Sequence, residues 1–199
     1  MKRSKVNLYR SHLCVLLEDQ ANLNLLNGFV NYWGISDSAV LITPTCNGGK
    51  KVWKKFEREY ISSMNEYPER LILMLLDFDE SVDNFNRTPI KFQKAQETIP
   101  PSLKDRVFIL GSWKEPEDLK RSLQKKYEEI GSDIAKECVD GKGSSNSSIW
   151  NNEFLRYNIP EIQRMKQKLD FLLSRDPPRR DLPQNRTQST QPHHTDRQC

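Results

Sequence analysis

An α/β fold is predicted: a four-stranded, mainly parallel sheet flanked by helices, then a C-terminal helical extension and a disordered tail. Three observations lead there. Short unbroken apolar runs alternate with stretches of helical periodicity. Two of those runs, Leu13-Cys14-Val15-Leu16-Leu17 and Leu71-Ile72-Leu73-Met74-Leu75-Leu76, end on acidic residues. The dense apolar runs also lie in the front of the chain and disappear towards its end. Alternating strand and helix is the order of a parallel sheet covered on both faces. Strands buried on both sides read as continuous apolar runs.

Residues 13–17 are the first predicted strand. Residues 21–33 follow as a helix, with Leu23, Leu26, Val30 and Trp33 at helical spacing and Gly34 as its C-terminal cap. Residues 39–42 form a short second strand, ended by Pro44 and the Asn47-Gly48-Gly49 turn. A second helix spans 50–64, with Val52, Phe56, Tyr60 and Ile61 on one face. Pro68 breaks the chain before the third and strongest strand, 71–76. The polar stretch 81–106, interrupted by Pro89, Pro100 and Pro101, holds a short helix near 90–97. Residues 107–110 are the fourth strand. Pro116 opens a helix over 117–130, which a further helical stretch at 132–139 continues. The Gly/Ser-rich run 141–148 is a flexible loop, and 150–157 and 162–173 read as two more helices. Residues 1–118 thus form the α/β domain, 119–174 the helical extension, and 175–199, rich in Pro, Arg, Gln and Thr, the tail.

The 199 residues have 36% apolar content and a net charge of +4, which bounds a single domain with appendages and no strong polyanion signature. Cys14, Cys46, Cys138 and Cys199 show no CxxC spacing, so the pattern is neither a zinc site nor a disulfide framework. Cys14, inside an apolar run, is read as a buried thiol. The basic start Met1-Lys2-Arg3-Ser4-Lys5 lacks the apolar run of a signal peptide, and no stretch approaches the length of a membrane span. The expectation is a soluble, cytoplasmic protein without a membrane partner.

Function in such sheets sits beyond the carboxyl ends of the strands. Glu18, Asp77 and Asp79 all stand there. Alternation puts Asp77 and Asp79 on one side of the strand, about 6–7 Å apart, with Phe78 on the other. Clustered carboxylates repel one another and resist desolvation unless a cation joins them. Hard oxygen ligands suit Mg²⁺ or Mn²⁺. Glu18, Asp77 and Asp79 are therefore the expected metal ligands, and such ions serve phosphate chemistry. Lys114, after the fourth strand, is a candidate for stabilising a transferring phosphoryl group. Glu115 and Glu117 lie beside it, Glu117 reading as a helix-dipole partner, and Trp113 either shields the site or packs. The Asn47-Gly48-Gly49 turn and the basic helix start that follows it, Lys50, Lys51 and Lys54 with Lys55 and Arg58, are candidate nucleic-acid contacts. Trp53 and Phe56 are read as core. His193 and His194 lie in the tail with no fold around them.

A glutamate ending the first strand and an Asp-x-Asp ending the third resemble the TOPRIM domain of topoisomerases, primases, recombination mediators and overcoming-lysogenization-defect nucleases. The resemblance covers residues 11–111. It implies a Mg²⁺ site for phosphotransfer, with Glu18 as metal ligand or general acid/base and Asp77 and Asp79 as the cation-binding pair. It also implies phosphodiester hydrolysis on DNA or RNA by a small stand-alone nuclease, in defence or DNA repair, with a partner protein or self-association selecting the substrate. The chain departs from the family pattern at Asp19, where glycine is common, and in the long proline-broken segment after Asp79. Leu16-Leu17-Glu18-Asp19 and Arg70-Leu71-Ile72-Leu73-Met74 are also similar to a response-regulator receiver domain. That resemblance, or an inactive TOPRIM-like relative, implies a non-catalytic protein-interaction module, but a receiver needs a fifth strand ending in Lys, where this chain offers helices.

Overall fold

In a computed structural model, which describes residues 6–78, 89–140 and 148–173, the strands are β1 (His12–Leu17), β2 (Val40–Ile42), β3 (Arg70–Asp77) and β4 (Val107–Ser112). They form one sheet in the order β2-β1-β3-β4, and every pairing is parallel. The fold is α/β as expected, and the sheet is wholly parallel. Asp79, residues 141–147 and the tail lie outside the described residues.

Side-chain alternation gives the sheet two faces. Cys14, Leu16, Ile72, Met74, Leu76, Val107 and Ile109 point to one, where they pack with Val52, Phe56, Met64, Phe92 and Ala95. Leu13, Val15, Leu17, Leu71, Leu73, Leu75 and Phe108 point to the other, where they meet Leu26, Val30, Met165 and Leu172. The first set of partners comes from helices α2 (Gly49–Lys55), α3 (Ser63–Glu66) and α4 (Ile90–Thr98), together with a π-helical turn at Phe56–Tyr60. The second comes from α1 (Gln20–Val30), α7 (Ile159–Lys166) and the 3₁₀ turn Asp170–Leu172. Cys14 is fully buried, and burial pushes its thiol up to about 11.

Several boundaries differ from the sequence expectation. The first helix stops at Val30 with Asn31 as its cap, and Gly34 instead makes room for Val139, whose Cγ2 would lie 2.5 Å from an added Cβ. The helix expected over 50–64 is interrupted by the π turn. The stretch 117–139 is two helices, α5 (Pro116–Leu123) and α6 (Tyr127–Asp140). They separate where Gln124 turns left-handed, and the Glu129 carboxylate then accepts from the Lys126 N–H to start the second. Residues 150–157 make two 3₁₀ turns, Ile149–Asn151 and Arg156–Asn158, since the Asn152 amide oxygen takes the Phe154 N–H in a local turn.

Helix α6 lies directly on α1. A Cβ on Gly28 would stand 2.0 Å from the Glu128 carbonyl oxygen, and one on Gly131 would stand 1.9 Å from that of Leu25. Two glycines facing opposite helices let the backbones touch.

The sheet's two edges are closed differently. The β2 edge is very short, which limits pairing with other chains. The β4 edge is covered by side chains from the C-terminal segment. Ile109 N–H donates to Glu161 Oε1 (2.9 Å), Gly111 N–H donates to Asn158 Oδ1 (3.1 Å), and Asn158 Nδ2 donates to the Gly111 carbonyl (2.9 Å). Arg164 donates to the Val107 carbonyl at 2.7 Å and to Glu161. These groups occupy the position a fifth strand would take.

The amino end of the sheet holds a buried cation. Arg70, 5% exposed, is the register partner of His12. Its Nε donates to His12 Nε2 (3.0 Å), its Nη1 donates to Ser63 Oγ (2.8 Å), and its guanidinium lies 4.3 Å from the Tyr67 ring centroid. His12 Nδ1 lies 2.7 Å from the Arg10 carbonyl, so the proton is assigned there and the imidazole is neutral. Among the described residues, no helix is long and apolar enough to cross a membrane.

Candidate functional site

The strand order reverses between β1 and β3, because the chain goes first to one side of β1 and then to the other. At such a switch point the loops beyond the two carboxyl ends diverge and leave a crevice. Glu18 follows β1 there, and Asp77 ends β3.

Glu18 ties three elements together. Its Oε2 accepts from the Asp77 N–H at 2.9 Å, and its Oε1 accepts from the Gly49 N–H at 2.8 Å. The second bond depends on the turn before α2, where Gly48 takes φ +130°, a conformation side chains rarely adopt. The amide at this turn therefore holds the chain's own carboxylate. Each carboxylate oxygen has a further lone pair, so two backbone bonds do not exhaust Glu18 as a ligand.

Asp19 has a different task. It caps α1, accepting at Oδ1 from the Asn22 N–H (2.9 Å) and from Asn22 Nδ2 (2.9 Å). That same Asn22 amide donates to Asp77 Oδ1 at 3.2 Å. One amide group thus spaces two carboxylates that would otherwise repel. Tyr127, at the start of α6, stands over the cluster. Burial above all, then Glu117 through charge and a hydrogen bond, and then Asp19 and Asp77, push its phenol up to about 12.

Of the residues singled out in the sequence, Glu18 and Asp77 are brought together, and Asp79 lies outside the described residues. Lys114 is half-buried in the segment after β4, at the same edge. Lys50, Lys51 and Lys54 are exposed on α2, whose first residue binds Glu18. Trp113 is fully buried, its ring 5.7 Å from that of Tyr157, so it packs. Phe78 is buried on the face opposite Asp77, against Phe92 and Tyr157. Among the described residues, no group of three or more His, Cys, Asp or Glu side chains is placed to hold a metal ion.

Asn22, Tyr127 and Ser112, the β4 register partner of Asp77, stand at this edge but were not anticipated. Asn22 was visible as the third residue after a capping Asp. Ser112 and Tyr127 reach the site only through register and helix packing. Comparison with protein-family models, with curated proteins and with solved structures finds no match.

Proposed function

We propose that the carboxyl edge of this sheet binds Mg²⁺ or Mn²⁺ and that the protein hydrolyses phosphodiester bonds in DNA or RNA, as a TOPRIM-like nuclease of the cytoplasm acting in defence or repair. The observation that carries this reading is the convergence of Glu18 and Asp77 at the switch point, with Glu18 fixed by the amides of Asp77 and Gly49. Hard carboxylate oxygens on adjacent parallel strands fit an oxygen-coordinated dication. Asp77, Glu18 and Asp79 would hold the ion, which when bound supplies Lewis-acid polarisation of a phosphate. The chain's own residues do the rest. The Gly49 and Asp77 amides orient Glu18, Asn22 holds Asp77, and Lys114 sits at the same edge to meet phosphate charge. The exposed Lys50, Lys51 and Lys54 would follow the backbone of the nucleic acid.

One observation favours a second reading, a non-catalytic interaction module. Both oxygens of Glu18 already accept backbone N–H groups, which is how a carboxylate serves purely as a clamp between elements.

Incubation of the full chain with supercoiled plasmid, single-stranded DNA and RNA, with and without Mn²⁺ or Mg²⁺, separates the two. Metal-dependent cleavage lost in both Asp77→Ala and Asp79→Ala supports the nuclease. Cleavage surviving both substitutions overturns the site assignment, and no cleavage with no metal binding by calorimetry selects the interaction module.

A further inference from the structure

A cavity of about 290 Å³ lies between the second face of the sheet and helices α1, α6 and α7. Its walls are almost wholly apolar, with Leu73, Leu75 and Leu110 from the sheet, Leu26 and Phe29 from α1, and Ile134 from α6. It is about twice the roughly 150 Å³ of an engineered apolar cavity that binds benzene, and it reaches the lower end of the ordinary small-molecule range, about 300 Å³.

One end is polar. Asp77 and Ser112 are register partners in neighbouring parallel strands, so their side chains leave the sheet on the same face, and both line the cavity beside Asn22 and Tyr127. Ser112 is 6% exposed, and its Oγ has no hydrogen-bond partner. A buried hydroxyl left unmatched costs stability in the folded protein. Here it lines an apolar chamber, next to a carboxylate.

We propose that this cavity is a binding site for a small primary amine with an apolar body. The body fills the space against the leucines. The ammonium group donates to Ser112 Oγ and faces Asp77, whose charge selects a cation over a neutral or acidic head. The inference rests on the cavity and the unpartnered hydroxyl and does not depend on metal binding or nuclease activity.

The test is calorimetry on the full chain in EDTA, with octylamine, 1-octanol and octanoate as probes of one tail and three heads. Saturable one-to-one binding is expected, tightest for octylamine and at least about tenfold weaker for octanoate. Ala21→Phe, which pushes a ring into the cavity from the first turn of α1, should abolish binding of all three. Should that variant fail to fold, Ser112→Ala decides, since it only trims a hydroxyl. Octylamine should then bind about tenfold more weakly. No saturable octylamine binding, octanoate binding best, or unchanged octylamine affinity in Ser112→Ala would each overturn the proposal.

Discussion

The two ends of the sheet both hold charge inside the fold, and they manage it in opposite ways. At the amino end a single cation, Arg70, is closed off by a neutral imidazole, a serine hydroxyl and a tyrosine face. At the carboxyl end several carboxylates gather, held by two backbone amides and one shared asparagine, next to a serine hydroxyl with no partner. The first arrangement is complete and serves stability. The second concentrates like charge beside a hydroxyl without a partner, an arrangement that stability alone does not call for. Removing a group should therefore be costly at the amino end, and at the carboxyl end some removals should help.

The largest effect is expected from Arg70→Ala. It strips the partner from His12 Nε2 and Ser63 Oγ and opens a void under Tyr67, costing about 3 kcal/mol by urea unfolding. Glu18→Gln comes next. A carboxamide places its NH₂ against either the Gly49 or the Asp77 N–H, so about 2 kcal/mol should be lost even though a negative charge is removed. A gain here would show that Glu18 is strained rather than clamped. Asp77→Asn should move the other way, raising the stability of the metal-free protein by about 1 kcal/mol as repulsion with Glu18 and Asp19 eases. The same variant should lose Mn²⁺ binding in calorimetry, and a fall in stability would erase the contrast between the ends.

The smallest effect is a pH dependence confined to the amino end. Burial, together with the charge of Arg70, holds the His12 pKa below its ordinary 6.5, against the opposing hydrogen bond to the Arg10 carbonyl. The unfolded chain binds a proton below pH 6.5 that the folded chain refuses. This contribution is therefore complete above pH 6.5 and is lost as pH falls through the window down to the lowered folded value. His12→Gln keeps an acceptor for Arg70 and should flatten that part of the curve when melting is followed between pH 7.5 and 5.

Much of this frame was readable in the residues. Unbroken apolar runs located β1, β3 and β4, because strands covered on both faces need no polar alternation. The acidic residues after β1 and β3 then marked the edge where Glu18 and Asp77 meet. Local boundaries were harder. The break between α5 and α6 rests on Gln124 in a left-handed conformation, where glycine would have been the signal. The turns at 149–158 rest on asparagine side chains competing with the helix, which leaves apolar spacing unchanged. Asn22, Ser112 and Tyr127 join the site through strand register and the touching of α1 and α6, and neither is local in sequence. Among the described residues the β4 edge is covered by side chains in place of a further strand, and this cover was not foreseen, because a Glu, an Asn and an Arg on a C-terminal segment look like solvated residues until their partners are known.

That substitute has a consequence for how the chain is made. The Ile109 amide waits for a carboxylate 52 residues later. At about 5–20 residues per second, ribosomes need roughly 3–10 s to deliver it. Throughout that interval Val107, Phe108, Ile109 and Leu110 present an apolar strand with an unclosed edge, ready to pair with any other strand it meets. Nascent chains that stall or end before Glu161 should therefore be prone to aggregation, and this stretch is where a chaperone that binds extended apolar segments would act during synthesis.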